Sequence, residues 1–289
     1  MTDAVSGVAT PAALQAIARA RGWVIDVDGC LVRTTTAGGL DGTAIPGASE
    51  FLAWLRDNGR TVVVCTNASQ RTVAHYASHL RTLGLDVRDE EMITAASAAA
   101  LHVATRHPGA SVLAVGAEGL DDALQARGVV QVRPGGRLAD VVIVGAADHY
   151  TTAALNAACL AVADHGAPLY VTVDAPWFQG GMGRSISAST AIAAAISSVT
   201  GVRPQVCGKP SPALARVLGE RIGASGTDIV VVGDVAEIEI RLAHMMGAHG
   251  VLVLSGGTSA ADLAWLPPEH RPHLHVRDVR DLLEKIAHA

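Results

Sequence analysis

From Gly22 the chain reads Gly22-Trp23-Val24-Ile25-Asp26-Val27-Asp28-Gly29-Cys30-Leu31-Val32, and no other stretch limits the possible folds as sharply. An apolar run stops at an acid, a second acid follows two residues later, and a glycine then breaks the regular backbone. The pattern predicts a strand buried on both faces and ended by a turn, as in the parallel sheet of an α/β protein. At the carboxyl end of such a strand, Asp26 and the backbone after it project into the crevice where these sheets bind ligands. Two carboxylates held this close repel each other. The pair therefore needs a cation, a shared proton, or a division in which one is ionised and the other protonated. A nucleophilic carboxylate beside a general acid, with a metal between carboxylate and phosphate, meets all of these demands. Taken alone, Asp-x-Asp-Gly fits a strand followed by a polar turn equally well, and other stretches must decide.

The same design recurs. Thr61 to Cys65 predicts a second buried strand running into Thr66-Asn67-Ala68-Ser69, and Asp228 to Val232 predicts another that ends in Gly233-Asp234. Between the first two, Ala48 to Asn58 predicts a helix with Phe51, Leu52 and Leu55 on one face and Gly59 just past its end. Strand, helix, strand is a right-handed crossover, which puts Asp26 and Thr66 at one edge of a parallel sheet. Upstream, residues 1–10 read as a loose end and Pro11 to Arg21 as a short helix, while Arg33 to Thr43 reads as a loop near the site. Downstream come a helix at Thr72 to Leu83, a short strand at Glu91 to Thr94 and an alanine-rich helix at Ala95 to Arg106.

His107-Pro108-Gly109 reads as a hinge, and the alternation then restarts. Strands are expected at 111–115, 129–132, 141–144 and 169–173, with helices at 119–127, 152–165 and 187–201, before a second hinge at Arg203-Pro204. The restart predicts a second α/β module, residues 107–203, inserted into a core built from 1–106 and 204–289. The core would be completed by helices at 213–222, 238–246 and 279–287, a strand at 250–254 and the glycine-rich turn Ser255-Gly256-Gly257-Thr258.

At 289 residues, 49% hydrophobic and 17% charged, the chain has ample material for such a core and does not read as disordered. A net charge of −5 makes no electrostatic case for nucleic acid, and the hydrophobic runs break before membrane-spanning length. Asp3 and the absence of a basic segment followed by an apolar one argue against a secretory signal. Cys30, Cys65, Cys159 and Cys207 lack the short paired spacing of a zinc site or a disulfide scaffold, so a reducing compartment is expected, most simply the cytoplasm. Cys30, Cys65 and Cys207 stand beside the polar strand ends and read as small apolar fillers, with a redox-sensitive site as the alternative. The 12 histidines form no cluster with metal-ligand spacing.

Asp26-x-Asp28-Gly29, Thr66-Asn67, Gly208-Lys209-Pro210 and Gly233-Asp234 resemble, in order and spacing, the four motifs of the haloacid dehalogenase superfamily. Ile45-Pro46-Gly47-Ala48, Cys65-Thr66-Asn67, Gly201-Val202-Arg203-Pro204 and Gly208-Lys209-Pro210-Ser211-Pro212 narrow the resemblance to its class IIA phosphatases, over roughly residues 22–258. The resemblance implies a Rossmann-like, doubly wound parallel sheet carrying an inserted α/β cap domain of the kind that marks this branch. It implies an enzyme, a phosphoric monoester hydrolase acting on a small phosphorylated metabolite. Asp26 would be the nucleophile, giving an aspartyl-phosphate that water hydrolyses. Asp28 would protonate the leaving alkoxide and later deprotonate the water. Asp26, Asp234 and the backbone carbonyl of Asp28 would hold Mg²⁺. Thr66 and the amide of Asn67 would bind phosphoryl oxygens, and Lys209 would neutralise charge on nucleophile and phosphate together. Caps of this branch often pair between subunits, which implies a homodimer through the insert.

Each of these residues has a plainer use. Thr66 can cap the helix that follows, Lys209 can be a loop lysine, and Asp234 can be a turn residue. The family's Arg-Leu-Asp-Thr-Asp after Gly-Asp is here Val235-Ala236-Glu237-Ile238-Glu239, so Glu239 stands where an aspartate is expected, placed to steady a metal-bound water. Thr172-Val173-Asp174 and Ser185-Ile186-Ser187-Ala188 also depart from the insert's usual wording, which leaves the substrate undetermined. The altered segment motivates a second function class, a phosphate-ester binding or regulatory protein with weak turnover. Intact Asp26 and Asp28 favour the enzyme. A dehalogenase fits less well, because Asp28 suits an oxygen leaving group and halide needs no proton.

Overall fold

The computed structural model describes residues 11–34, 41–180 and 183–289; the expected loose end at 1–10 and residues 35–40 of the expected loop lie outside it. Helix α1 (Pro11–Arg19) leads into β1 (Gly22–Ile25) and a small antiparallel pair, β2 (Val32–Arg33) and β3 (Thr43–Ala44). Then follow α2 (Ala48–Asp57), β4 (Thr61–Thr66), α3 (Val73–Thr82), β5 (Met92–Thr94) and α4 (Ala95–Arg106). The next stretch contributes β6 (Ser111–Val115), α5 (Glu118–Gln125), β7 (Val130–Gln131), β8 (Val141–Val144), α6 (Thr152–Ala163) and β9 (Leu169–Val171). An antiparallel hairpin, β10 (Trp177–Gly180) and β11 (Gly183–Ile186), precedes α7 (Ala188–Thr200) and β12 (Gln205–Val206). The chain returns through α8 (Pro212–Ile222), β13 (Ile229–Gly233), α9 (Arg241–Met246), β14 (His249–Val253), β15 (Leu274–Val276) and α10 (Val279–Ile286).

Trp23 and Ile25 of β1 join Phe51, Leu52 and Leu55 of α2 in one buried cluster, while Val24 joins Val63, Leu214 and Leu218 in another. Burial on both faces is why these strands are continuous apolar runs. Trp23 meets Phe51 edge to face with centroids 5.7 Å apart, and each such fully buried side chain contributes about 1.5–3 kcal/mol.

Six parallel strands form the first sheet, in the order β15-β14-β13-β1-β4-β5. Winding runs from β1 towards β5 and then resumes at β13 on the other side, so it reverses between β1 and β13, which is where such sheets bind ligands. Ile25 lies opposite Val64 on one side and Val232 on the other. Asp26, Thr66 and Asp234 therefore leave the sheet at the same end, as the crossover argument requires.

A second parallel sheet, β12-β9-β8-β6-β7, comes from the inserted stretch. Gln205–Val206, past the second expected hinge, pair with Tyr170 and Val171 at its edge. Helix α4 serves both sheets: Ala98 faces the first, while Ala96, Ala99, Ala100 and Val103 pack with Leu120, Ile143 and Tyr170 of the second unit. An alanine-rich sequence suits a helix buried on nearly every side. The hairpin β10–β11 and the edge strand β15 were not among the expected elements. The helix expected at 238–246 begins instead as a π-helical turn, Ala236–Ile240, and becomes α-helical only from Arg241. No helix among the described residues is long and apolar enough to cross a membrane.

Candidate active site

Asp26 is the first residue after β1; its amide donates to the Val232 carbonyl at 2.9 Å, which ties it to β13 across the switch point. Its carboxylate receives a hydrogen bond from Lys209 Nζ. The same ammonium donates to the Cys65 carbonyl at 2.9 Å and lies 3.0 Å from Glu239 Oε1. Asn67 fixes the segment that delivers Lys209. Its Nδ2 donates to the Lys209 carbonyl at 3.0 Å and its Oδ1 accepts from the Lys209 amide at 2.8 Å. Thr66 is buried at the end of β4, where its hydroxyl accepts from the Ala68 amide at 3.1 Å, whereas the cap of α3 is supplied by Thr72.

Asp234 follows β13. Its Oδ2 accepts from the Gly257 amide at 2.6 Å and its carbonyl from the Thr258 amide at 2.9 Å, so the glycine-rich turn holds it from above. A Cβ on Gly29, which has φ of +79°, would overlap the Asp234 carboxylate, so only glycine lets this turn approach so closely. Asp28 lines the same cleft and accepts from Thr34 Oγ1 at 2.9 Å. Glu239 folds back from the π-helical turn, where its Oε2 accepts from the Val235 amide at 3.0 Å. Asp26, Asp28, Thr66, Asn67, Lys209 and Asp234, scattered over the sequence, thus border one space, and Glu239 joins them.

The electrostatics are those of a site short of positive charge. Asp26, Asp234 and Glu239 are all buried and bring carboxylate oxygens within 4.8 Å of one another, with Lys209 as the only ammonium between them among the described residues. Burial would lower the Lys209 pKa, but Asp26 and Glu239 outweigh it and hold the group well above its usual value. Burial, then Asp26 and Glu239, push Asp234 well above the usual carboxylate range. Burial raises Glu239 to about 7, with Lys209 opposing and Asp26 reinforcing the shift. Hard oxygen donors with residual negative charge fit a divalent cation. The carboxylate of Asp28 is not part of this trio.

Burial also raises the three neighbouring thiols, Cys65 and Cys207 to about 12 and Cys30 well above its ordinary value. Each is at most 1% exposed, which suits apolar fillers rather than reactive thiolates.

A cleft of about 760 Å³ opens over these groups and is walled by both units. The first unit supplies Gln70, Arg71 and Glu237; the second supplies Asp148, Trp177, Phe178, Ser185 and Ser189. Sequence reasoning marked Glu237 and Ser185 only as departures from the family's wording, and gave Gln70, Arg71, Trp177, Phe178 and Ser189 no place in the site. The signal for the hairpin was present in two short runs, Trp177-Phe178 and Arg184-Ser185-Ile186, separated by a glycine-rich stretch of sequence. Thr34 left no comparable mark, because its use depends on the loop folding back to Asp28.

A model of haloacid dehalogenase-like hydrolases matches residues 23–130, and a HAD-hydrolase-like model matches residues 206–282. The chain is 30% identical over 283 residues to chronophin of Rattus norvegicus, spanning 93% of this chain and 88% of that protein. It is 29% identical over 246 residues to an acid sugar phosphatase of Staphylococcus aureus, spanning 84% and 90%. Among solved structures, the glycerol phosphate phosphatase of Mycobacterium tuberculosis in complex with magnesium superposes with a TM-score of 0.81 at 30% identity, over 92% of this chain and 77% of that one. Sequence motifs, sheet order and relatives agree: the chain belongs to the haloacid dehalogenase-like hydrolases, in their class IIA branch.

Proposed function

We propose that the protein is a Mg²⁺-dependent phosphatase that hydrolyses a small phosphorylated metabolite through a phosphorylated Asp26. The observation that carries this reading is the buried trio Asp26, Asp234 and Glu239 around one ammonium, at the switch point of the sheet. Asp26 attacks phosphorus in line, and the bond to the alcohol oxygen breaks. Asp28, steadied by Thr34, gives its proton to the departing oxygen, then takes one from the water that cleaves the aspartyl-phosphate. Thr66 and the Asn67 amide hold phosphoryl oxygens, while Lys209 offsets charge on both Asp26 and phosphate. Asp26, Asp234 and the Asp28 carbonyl would hold Mg²⁺, with Glu239 beside them; when bound, the ion offsets negative charge on the phosphoryl group. Residues 1–106 and 204–289 serve as the catalytic core. Residues 107–203 serve as a cap whose closure excludes bulk water.

The test is phosphate release from sugar phosphates, phosphoglycolate, glycerol phosphate, pyridoxal phosphate and a chromogenic aryl phosphate, with Mg²⁺ and with chelator. Release that needs Mg²⁺ and disappears in Asp26→Asn is expected. No release from any ester, or release that survives the substitution, contradicts the proposal.

A further inference from the structure

We infer that the cleft selects phosphate esters whose alcohol carries no anionic group, accepting neutral and cationic alcohols; this rests on the phosphatase reading above. The cleft, at about 760 Å³, is far larger than a phosphoryl group needs, so most of it is a chamber for the alcohol. Its walls carry six acids, Asp26, Asp28, Asp148, Asp234, Glu237 and Glu239, and two cations, Lys209 and Arg71.

Lys209 is buried against two carboxylates, whereas Arg71 is half exposed and shares its charge with an acid at the surface. Lys209 is held by Asp26 and Glu239. Arg71 pairs with Glu118 at 3.1 Å. Arg184 of the hairpin stacks its guanidinium 4.9 Å from the Trp177 ring centroid and is not among the lining residues. The stretches outside the described residues, 1–10, 35–40 and 181–182, contain no lysine, arginine or histidine.

A carboxylate or second phosphate on the alcohol would therefore meet Asp148 and Glu237, with only the half-exposed Arg71 among the described lining residues to offset them beyond Lys209, and would lose hydration as the chamber closed. Both acids are exposed, so the discrimination is moderate and weakens with salt. An alcohol bearing hydroxyls finds Ser185 and Ser189 in the wall. An amino alcohol finds the two acids and the Phe178 ring, where cation and ring attract, the Trp177 ring already carrying Arg184.

The experiment compares kcat/KM for glycerol phosphate, phosphoethanolamine and phosphoglycolate, which are similar in size and differ in charge. The comparison is made in the unsubstituted protein and in the double variant Asp148→Asn with Glu237→Gln. Glycerol phosphate and phosphoethanolamine are expected to exceed phosphoglycolate by roughly tenfold, as for like charges near a protein surface, and the double variant to shrink that ratio to about threefold or less. Phosphoglycolate used as well as the others, or a ratio unchanged in the double variant, overturns the inference. Turnover of an aryl phosphate tests the phosphatase reading separately. If that reading fails, calorimetric affinities of the same three esters for Asp26→Asn with Mg²⁺ still decide the inference, by the same order.

Discussion

Replacing Lys209 by methionine removes the positive charge at the centre of the site and keeps most of its apolar length. The Lys209 side chain is 2% exposed and its ammonium bridges Asp26, Glu239 and the Cys65 carbonyl. Without it, Asp26 and Glu239 stay buried beside Asp234 with no cation among them. Removing one partner of a buried ion pair costs about 3–5 kcal/mol. In a chain of this size each kcal/mol is worth about 2–4 °C, so Lys209→Met should melt roughly 6–20 °C lower in chelator. The sign of the pH dependence follows from Glu239, raised from 4.5 to about 7 by burial and by Asp26 against the pull of Lys209. Without the lysine its value rises further. A carboxyl raised in the folded state destabilises as pH climbs from its unfolded value through its folded one. The deficit from this group should therefore stay level below about pH 7, where Glu239 is protonated in both folded proteins, and grow between about pH 7 and pH 9, and Mg²⁺ should shrink it. Turnover should fall about 10²–10³-fold with the loss of a preorganised charge at the phosphoryl group. Thermal melts at both pH values, with and without Mg²⁺, and initial rates on an aryl phosphate read all three effects. A variant that melts within about 2 °C of the unsubstituted protein at both pH values, or keeps more than about a tenth of its rate, refutes the reasoning.

Gly256→Ala places a Cβ against Asp234 Oδ2 and within 2.8 Å of the Gly29 Cα, so the carboxylate must move. The Mg²⁺ concentration for half-maximal rate should rise about tenfold or more; a Mg²⁺ titration that does not shift contradicts this. Glu91, 4% exposed, accepts from the guanidiniums of Arg56 and Arg88 and from the Arg88 amide. Burial alone would raise its pKa, but these bonds hold it at about 2, below its ordinary 4.5. Its stabilisation is thus complete above about pH 4.5 and is lost as pH falls towards about 2. Glu91→Gln should lose on the order of 2–3 kcal/mol at pH 7 and progressively less below pH 4.5, measured by urea unfolding; an equal loss at pH 7 and pH 3.5 would show that the carboxylate is not the cause.

What could be read from the sequence was set by how each residue is buried. Val62, Val63, Val64 and Ile229 to Val232 are covered on both faces, so their strands appear as unbroken apolar runs with polar ends. The same feature located Asp26, Thr66 and Asp234. The hairpin at 177–186 is half exposed, with Trp177 at 50% and Ile186 at 61%, and so lacks that signature. Leu274–Val276 is a three-residue edge strand with a partly exposed His275 at its centre, too short to show a period. Glu239 stood in the sequence only as a longer replacement for an aspartate. Its place beside Lys209 depends on the π-helical turn, which a helical period does not reveal. The grip of Asn67 on the Lys209 backbone joins residues 142 apart and leaves no local pattern.

The most direct measurement is acid quenching of the protein during turnover of a phosphate-labelled aryl ester with Mg²⁺, followed by peptide mapping. Transient, hydroxylamine-labile phosphate on the peptide containing Asp26, absent from Asp26→Asn, is the predicted result. Turnover with no phosphate trapped on the chain, or with the label on another residue, contradicts it.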